Sequence, residues 1–490
     1  MISEILKIQE EVLSKNYNLK KELGQFFTDA NIANYMSSMI DNIEGLKFND
    51  EVRILDAGAG IGVLSIAAVI QCLNLGYKNL SVILYEIDIN LISTIDAIMK
   101  RISDILNKKI FFKYELLNED FVLVRPDKET TKYHLSIINP PYFKYSVKNS
   151  KYSKATSDLF KGDPNIYASF MAITINCLEN NGQMIVIVPR SFTNGLYFKN
   201  FRAYIESISS FESIHIFKSR NKLFKKGNVL QENIICKFIK KPQSKKIKII
   251  SSNTLEDLDN ADINEYDSSF IIDKVDNFSI IYIPETSKDA EIMCKANSLE
   301  SNFSKEKYTI STGKIVDFRS RDLLVEQKEL NALPLYRAAN VQMMKTVWDN
   351  THKHNQYFKI SDNHEKVTLP NNIYILLRRL SSKDEKKRLI ASVYVPDENE
   401  FVAIDNKLNY ISKENESFNI VEATGMCALL NSTFMDEYFR CFSGNTQVNA
   451  TEIRIMKFLG KDKIILIGKE ILEYNNITQN IIDEAVNKFI

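Results

Sequence analysis

Short apolar runs alternate with longer amphipathic stretches through the first half of this chain. Val52–Leu55, Leu80–Tyr85, Tyr133–Ile138, Gln183–Val188, Ser213–Phe217 and Glu232–Ile239 are short and apolar, and most are rich in β-branched residues, so they predict strands. Helical stretches separate the first four. That alternation predicts crossover connections and a parallel, doubly wound α/β sheet. Residues 1–22 are amphipathic and mixed in charge and predict a leading helix. Near Lys240–Lys248, Pro242 and a cluster of lysines mark a boundary, so residues 23–245 read as one domain and 246–490 as another. In the second, Tyr308–Phe318, Leu333–Val341, Ile373–Arg379, Leu389–Val395 and Phe401–Ile411 predict short strands or strand–loop units. Gly425–Phe442 predicts one helix, giving a mixed α+β domain.

Length and composition agree with two globular domains: 490 residues, 44% hydrophobic and 26% charged. A net charge of +1 gives no global attraction to nucleic acid. Charge is concentrated locally, however. From His215 to Lys248 the chain holds eleven Lys or Arg against the single acid Glu232. Such a patch suits phosphate contact. Cys72, Cys177, Cys236, Cys294, Cys427 and Cys441 are scattered and form no Cys-x-x-Cys or Cys/His cluster. No metal site is expected, and a reducing cytoplasm suits such thiols. There is no 18-residue apolar run and no leader-type start, so no membrane span is expected.

Four turns and one upstream segment carry chemistry. Ile54–Val69 reads strand, then Asp56, Gly58, Gly60 and Gly62, then helix. Glycines let a ligand approach the backbone, and the helix N-terminus offers unpaired N–H groups. The spacing is not that of the dinucleotide Gly-x-Gly-x-x-Gly fingerprint. Thirty positions after Asp56, Glu86 ends the next strand, where a carboxylate can accept both hydroxyls of a ribose. Asp120 and Phe121 close a further unit, an acid for an amine and a ring for packing. After the Tyr133–Ile138 strand comes Asn139-Pro140-Pro141-Tyr142. Two prolines stop the strand and stiffen the turn. The Asn139 side chain and the Pro140 carbonyl then form two fixed acceptors. An amine donating to both has its lone pair freed for attack on a methyl group, while Tyr142 stacks on the base. Upstream, Gly24-Gln25-Phe26-Phe27-Thr28 precedes a helix start that can hold a carboxylate.

In this order the motifs resemble the gamma class of adenine-N6 DNA methyltransferases, the TaqI-like modification enzymes. The Leu23–Thr28 opening resembles that of the PstI/BsuBI-type methylases. The likeness covers roughly the first half by motif and the rest in outline. It implies a Rossmann-like methyltransferase sheet with a C-terminal target-recognition domain, and S-adenosylmethionine as cofactor. It assigns Gln25, Phe26, Phe27, Thr28, Asp56, Gly58 and Gly60 to the methionine part of the cofactor, Glu86 to its ribose, and Asp120 and Phe121 to its adenine. It makes Asn139, Pro140, Pro141 and Tyr142 the catalytic motif and Phe224 the aromatic that clamps a flipped base against Tyr142. Flipping an adenine out of a duplex costs a few kcal/mol. Stacking on two rings returns about 1–3 kcal/mol each. Lys222, Lys225 and Lys226 then lie beside the displaced strand.

The C-terminal half offers Arg319, Arg337, Arg378 and Arg379 as DNA contacts, with Arg321, Arg388, Lys383, Lys386 and Lys387 as further basic candidates. Ser443–Asn449 reads as a polar loop near the DNA or the domain junction, and Trp348 as core. No nuclease constellation is present in the sequence. The implied setting is double-stranded DNA in a type II restriction–modification system, with a cognate endonuclease acting separately, a monomeric enzyme, and CTGCAG as the recognition sequence. The alternatives left open are an RNA adenine or protein glutamine N-methyltransferase, a cytosine-N4 DNA methyltransferase, a lone regulatory DNA methylase without a paired endonuclease, and a non-catalytic DNA-binding protein.

Overall fold

The computed structural model describes residues 2–23, 28–126, 132–145, 150–162, 165–217, 233–275, 278–329, 331–348, 357–360, 364–381, 385–443 and 447–490. Two compact units divide the chain, residues 1–285 and 286–490.

The first unit is built on a nine-stranded sheet. Its strands are β1 (Glu51–Asp56), β2 (Asn79–Tyr85), β3 (Phe111–Leu117), β4 (Tyr133–Ile138), β5 (Leu178–Pro189), β6 (Ser210–Phe217), β7 (Asn233–Ile239), β8 (Lys246–Ser252) and β9 (Asp262–Asp267). The spatial order is β3-β2-β1-β4-β5-β7-β6-β8-β9. The first five run parallel, and β7 is antiparallel to β5 and β6. Helices cover both faces, which is why the inner strands read as unbroken apolar runs. Helices α1 (Ile2–Leu23), α2 (Ala30–Ser38), α3 (Val63–Asn74) and α4 (Ile89–Leu106) pack on one face, over Val52, Ile54, Val82 and Ile137. On the other face lie the short α5 (Phe121–Val124), α7 (Ile166–Cys177) and α8 (Lys199–Ile208), over Leu55, Ile138, Val186 and Ile214. The five-residue α6 (Lys151–Ala155) lies in the loop between β4 and α7.

Two expectations are corrected. The first unit does not end at residue 245: β8 pairs with β6 and β9 with β8, so the sheet continues past the lysine cluster. The predicted helix Gly425–Phe442 is two helices, Ile420–Asn431 and Thr433–Phe442. Ser432 separates them because its side chain caps the second by accepting from the Met435 N–H.

The second unit carries two five-stranded mixed sheets and five further helices of nine residues or more among the described residues. Two of those helices, Ile420–Asn431 and Lys461–Ile471, cross on glycines. A methyl at Gly425 would lie 1.8 Å from the Ile464 carbonyl, and one at Gly468 1.9 Å from that of Val421. Among the described residues no helix is long and apolar enough to cross a membrane, and no His/Cys/Asp/Glu group is placed to hold a metal ion.

Candidate active site

The chemistry-bearing turns all leave the carboxyl ends of the parallel strands, where a doubly wound sheet opens a crevice. Thr28, Gly58, Ala59, Gly60, Ile61, Val63, Leu64 and Asn139 line one cleft there. The loop after β1 turns on Gly60 and Gly62, both in the left-handed region (φ 57° and 80°), which a side chain would strain.

Asp56 ends β1 fully buried. Ser65 Oγ donates to its Oδ2 at 2.5 Å, while Oδ1 is buried without a hydrogen-bond partner. Burial drives this carboxyl up to about 7, against the Ser65 hydrogen bond, and the nearby Glu86 carboxylate adds to the rise. Glu86 follows β2 and accepts from the Gly60 N–H and the Asp88 N–H, each at 2.8 Å. Its carboxyl is also raised, chiefly by burial. Beside it, Ile87 is 64% exposed, an apolar side chain left uncovered at the sheet end.

Asp120 caps α5, accepting from Val122 and Leu123 through one oxygen and from the Tyr152 hydroxyl, at 2.8 Å, through the other. Phe121 is packed in the core against Tyr85 and Phe170.

Asn139 leaves β4 with its side chain held at both ends. Its amide donates to Thr28 Oγ1 at 3.1 Å, and Oδ1 faces the Tyr142 hydroxyl at 2.9 Å. That hydroxyl also reaches the Ile187 carbonyl at 2.9 Å. With one proton for two acceptors, it leaves Oδ1 with lone-pair capacity for a further donor. Burial pushes the Tyr142 hydroxyl well above its ordinary range, so it stays a neutral donor. Pro140 is buried and Pro141 exposed, and the Tyr142 ring stands edge-on to Tyr167, centroids 6.2 Å apart.

The structure thus brings together Thr28, Gly58, Gly60, Glu86 and Asn139, with Asp56 beneath the loop. Gln25, Phe26, Phe27, Lys222, Phe224, Lys225 and Lys226 lie outside the described residues. Sequence reasoning missed Ser65, Tyr152 and the Ile187 carbonyl. A lone hydroxyl in the apolar run Val63–Val69 was the available signal for Ser65, and none existed for the other two.

In the second unit Arg319 is exposed. Arg337 pairs with Asp317 at 2.9 Å and with the buried Asp405 at 2.8 Å. Arg378 Nε donates to the Val341 carbonyl, and Arg379 to that of Asn406. Arg388 is fully buried and donates to the Ser443 carbonyl, so it is a structural residue and not the surface contact its charge suggested. Val448, in the polar loop 443–449, donates to the Arg379 carbonyl at 2.7 Å.

Comparison with known proteins gives four findings. Residues 64–224 match the family model described as Eco57I restriction-modification methylase. The chain is 32% identical to the type II methyltransferase M.PstI of Providencia stuartii over 96% of its own length and 93% of the relative's. It is also 32% identical to the type II methyltransferase M.BsuBI of Bacillus subtilis, over 96% and 94%. Among solved structures, a cryo-electron microscopy DrdV–DNA complex superposes over 92% of this chain and 57% of that one, at TM-score 0.50 and 13% identity, a likeness of fold.

Proposed function

Because this chain belongs to the type II DNA methyltransferases of restriction–modification systems, we propose that it methylates the N6 amine of an adenine rotated out of a DNA duplex. The family acts on DNA, so the RNA and protein glutamine alternatives fall away. S-adenosylmethionine is the methyl donor and supplies an electrophilic sulfonium methyl. The residues fit it. Asp56 Oδ1, buried without a partner, suits an ammonium group, the Gly58–Gly60 backbone leaves room for close approach, and Glu86 suits a ribose.

The observation that carries the adenine reading is the pinned Asn139. Thr28 and Tyr142 fix its amide plane at the cleft, and Oδ1 keeps the capacity to accept from an exocyclic N–H. The Pro140 carbonyl takes the amine's second hydrogen. Together they turn the nitrogen lone pair out of conjugation with the ring. The Tyr142 ring and Phe224 hold the flipped base, and the second unit selects the sequence. No covalent enzyme intermediate is needed. The proposal includes a monomeric enzyme working beside a separate endonuclease, with CTGCAG as the first sequence to test.

Labelled S-adenosylmethionine, plasmid DNA and nucleoside analysis test the reaction. N6-methyladenine at one short motif is expected, and N4-methylcytosine would overturn the base assignment. Asn139→Ala is expected to lose transfer by about a hundredfold to a thousandfold, the scale of removing one preorganised hydrogen-bonding group at a reacting centre, while keeping cofactor affinity.

A further inference from the structure

The motif strand continues directly into an exposed surface. Phe143 is 44% exposed, and Lys144 follows it. The Phe143 carbonyl accepts from the Ile166 N–H at 3.0 Å, and Lys144 forms a β-bridge with Asn165. These two residues are therefore fixed to the start of α7. Facing them is the loop that follows β5, with Leu196 and Tyr197 each 40% exposed. This loop is tied down separately. The fully buried Arg202 of α8 donates to the carbonyls of Phe192, Asn194 and Gly195. Gly195 makes the turn with φ 70°.

Aromatic packing joins the two pieces. Tyr142 meets Tyr167, Tyr167 meets Phe198 at 5.5 Å, and Phe198 meets Tyr197 at 4.7 Å. The Lys144 ammonium lies 5.3 Å from the centre of the Tyr197 ring. A cation held over a half-exposed aromatic ring is a combination that grips single-stranded nucleic acid, charge for phosphate and ring for base. Here it stands two residues from Tyr142.

We propose that Lys144 and Tyr197 form a clamp on the DNA strand that carries the target base. Lys144 takes a phosphate of that strand, and the Tyr197 ring packs on the nucleotide next to the target. Arg202 is a positioning residue that holds the Tyr197 loop. The inference rests on the reading of Asn139–Tyr142 as the place where the target base is held.

The test is steady-state methylation of plasmid DNA by the full-length chain at several salt concentrations, with S-adenosylmethionine binding measured in parallel. Tyr197→Ala is expected to raise KM for DNA about tenfold or more, and Tyr197→Phe to stay near wild type, since stacking needs the ring. Lys144→Ala is expected to weaken binding and lower the salt slope by about one. All three should bind S-adenosylmethionine normally. The clamp is overturned by an unchanged KM in Tyr197→Ala with an unchanged salt slope in Lys144→Ala. It is equally overturned if these variants lose cofactor binding, because the pair would then serve the fold. Wild type and Asn139→Ala run beside them. An inactive wild type or an active Asn139→Ala sinks the reading of the site, whereas normal controls with silent clamp variants sink the clamp alone.

Discussion

Asp56 is a carboxylate raised from 3.8 to about 7 by burial, one oxygen held by Ser65 and the other without a partner. A group raised on folding favours its protonated form in the folded state. Its contribution to stability is therefore full below pH 3.8 and lost as the pH climbs through about 7. Cofactor binding has the opposite sign, since an ammonium partner needs the carboxylate ionised. Affinity for S-adenosylmethionine should therefore fall as pH drops below about 7, and the thermal shift it produces should be larger at pH 8 than at pH 6. Glu86 is raised in the same direction, chiefly by burial. Asp56→Asn should bind weakly at both pH values and lose most of the dependence. Calorimetric titration across this range decides it, and a wild-type affinity that is flat in pH would remove Asp56 from the ammonium site.

At the scale of the element, the crossing of Ile420–Asn431 and Lys461–Ile471 leaves no room for a single carbon. Gly468→Ala must push backbone against backbone and should cost about 3 kcal/mol, the upper part of the overpacking range. Denaturant unfolding of the second unit measures it, and a stable Gly468→Ala would mean the helices can slide apart. Gly425→Ala should behave alike. Neither glycine was legible as special, because close approach between distant segments leaves no local pattern. The same reason hid Arg202, Tyr152 and the tie between Thr28 and Asn139. What was legible is what the local backbone demands: glycines where the loop after β1 turns, prolines where β4 stops, and apolar runs where a strand is buried on both faces. The two edge strands, β3 and β9, and β8 beside one of them were missed for the converse reason. β3 (FFKYELL), β8 (KIKIISS) and β9 (DINEYD) alternate with charge or are frankly polar, and in sequence they resemble linkers. Within the second unit, Arg337 shows the limit of reading charge alone, since two aspartates already hold its guanidinium.

For the molecule as a whole, a net charge of +1 means that DNA affinity must come from local patches. Replacing Lys222, Lys225 and Lys226 together with Gln should weaken binding to all sequences alike and lower the salt slope by roughly 0.9 for each phosphate that is no longer neutralised. Arg319→Ala, on the exposed surface of the second unit, should alter which sequences are methylated. Anisotropy titrations at several salt concentrations, with methylation-aware sequencing, separate the two effects. An unchanged slope in the triple variant would return that segment to solvent. The continuation of the sheet through β8 and β9 also bears on engineering. Grafting the recognition half of one relative onto the catalytic half of another is a direct route to new specificities, and the lysine-rich stretch near residue 245 looks like the natural splice. A splice there would set β6 of one protein beside β8 of the other, so that a foreign strand must match its ladder and fill the places of Ile247 and Ile249 in the core. Chimeras joined at residue 245 should aggregate, and those joined after Glu285 should stay monodisperse.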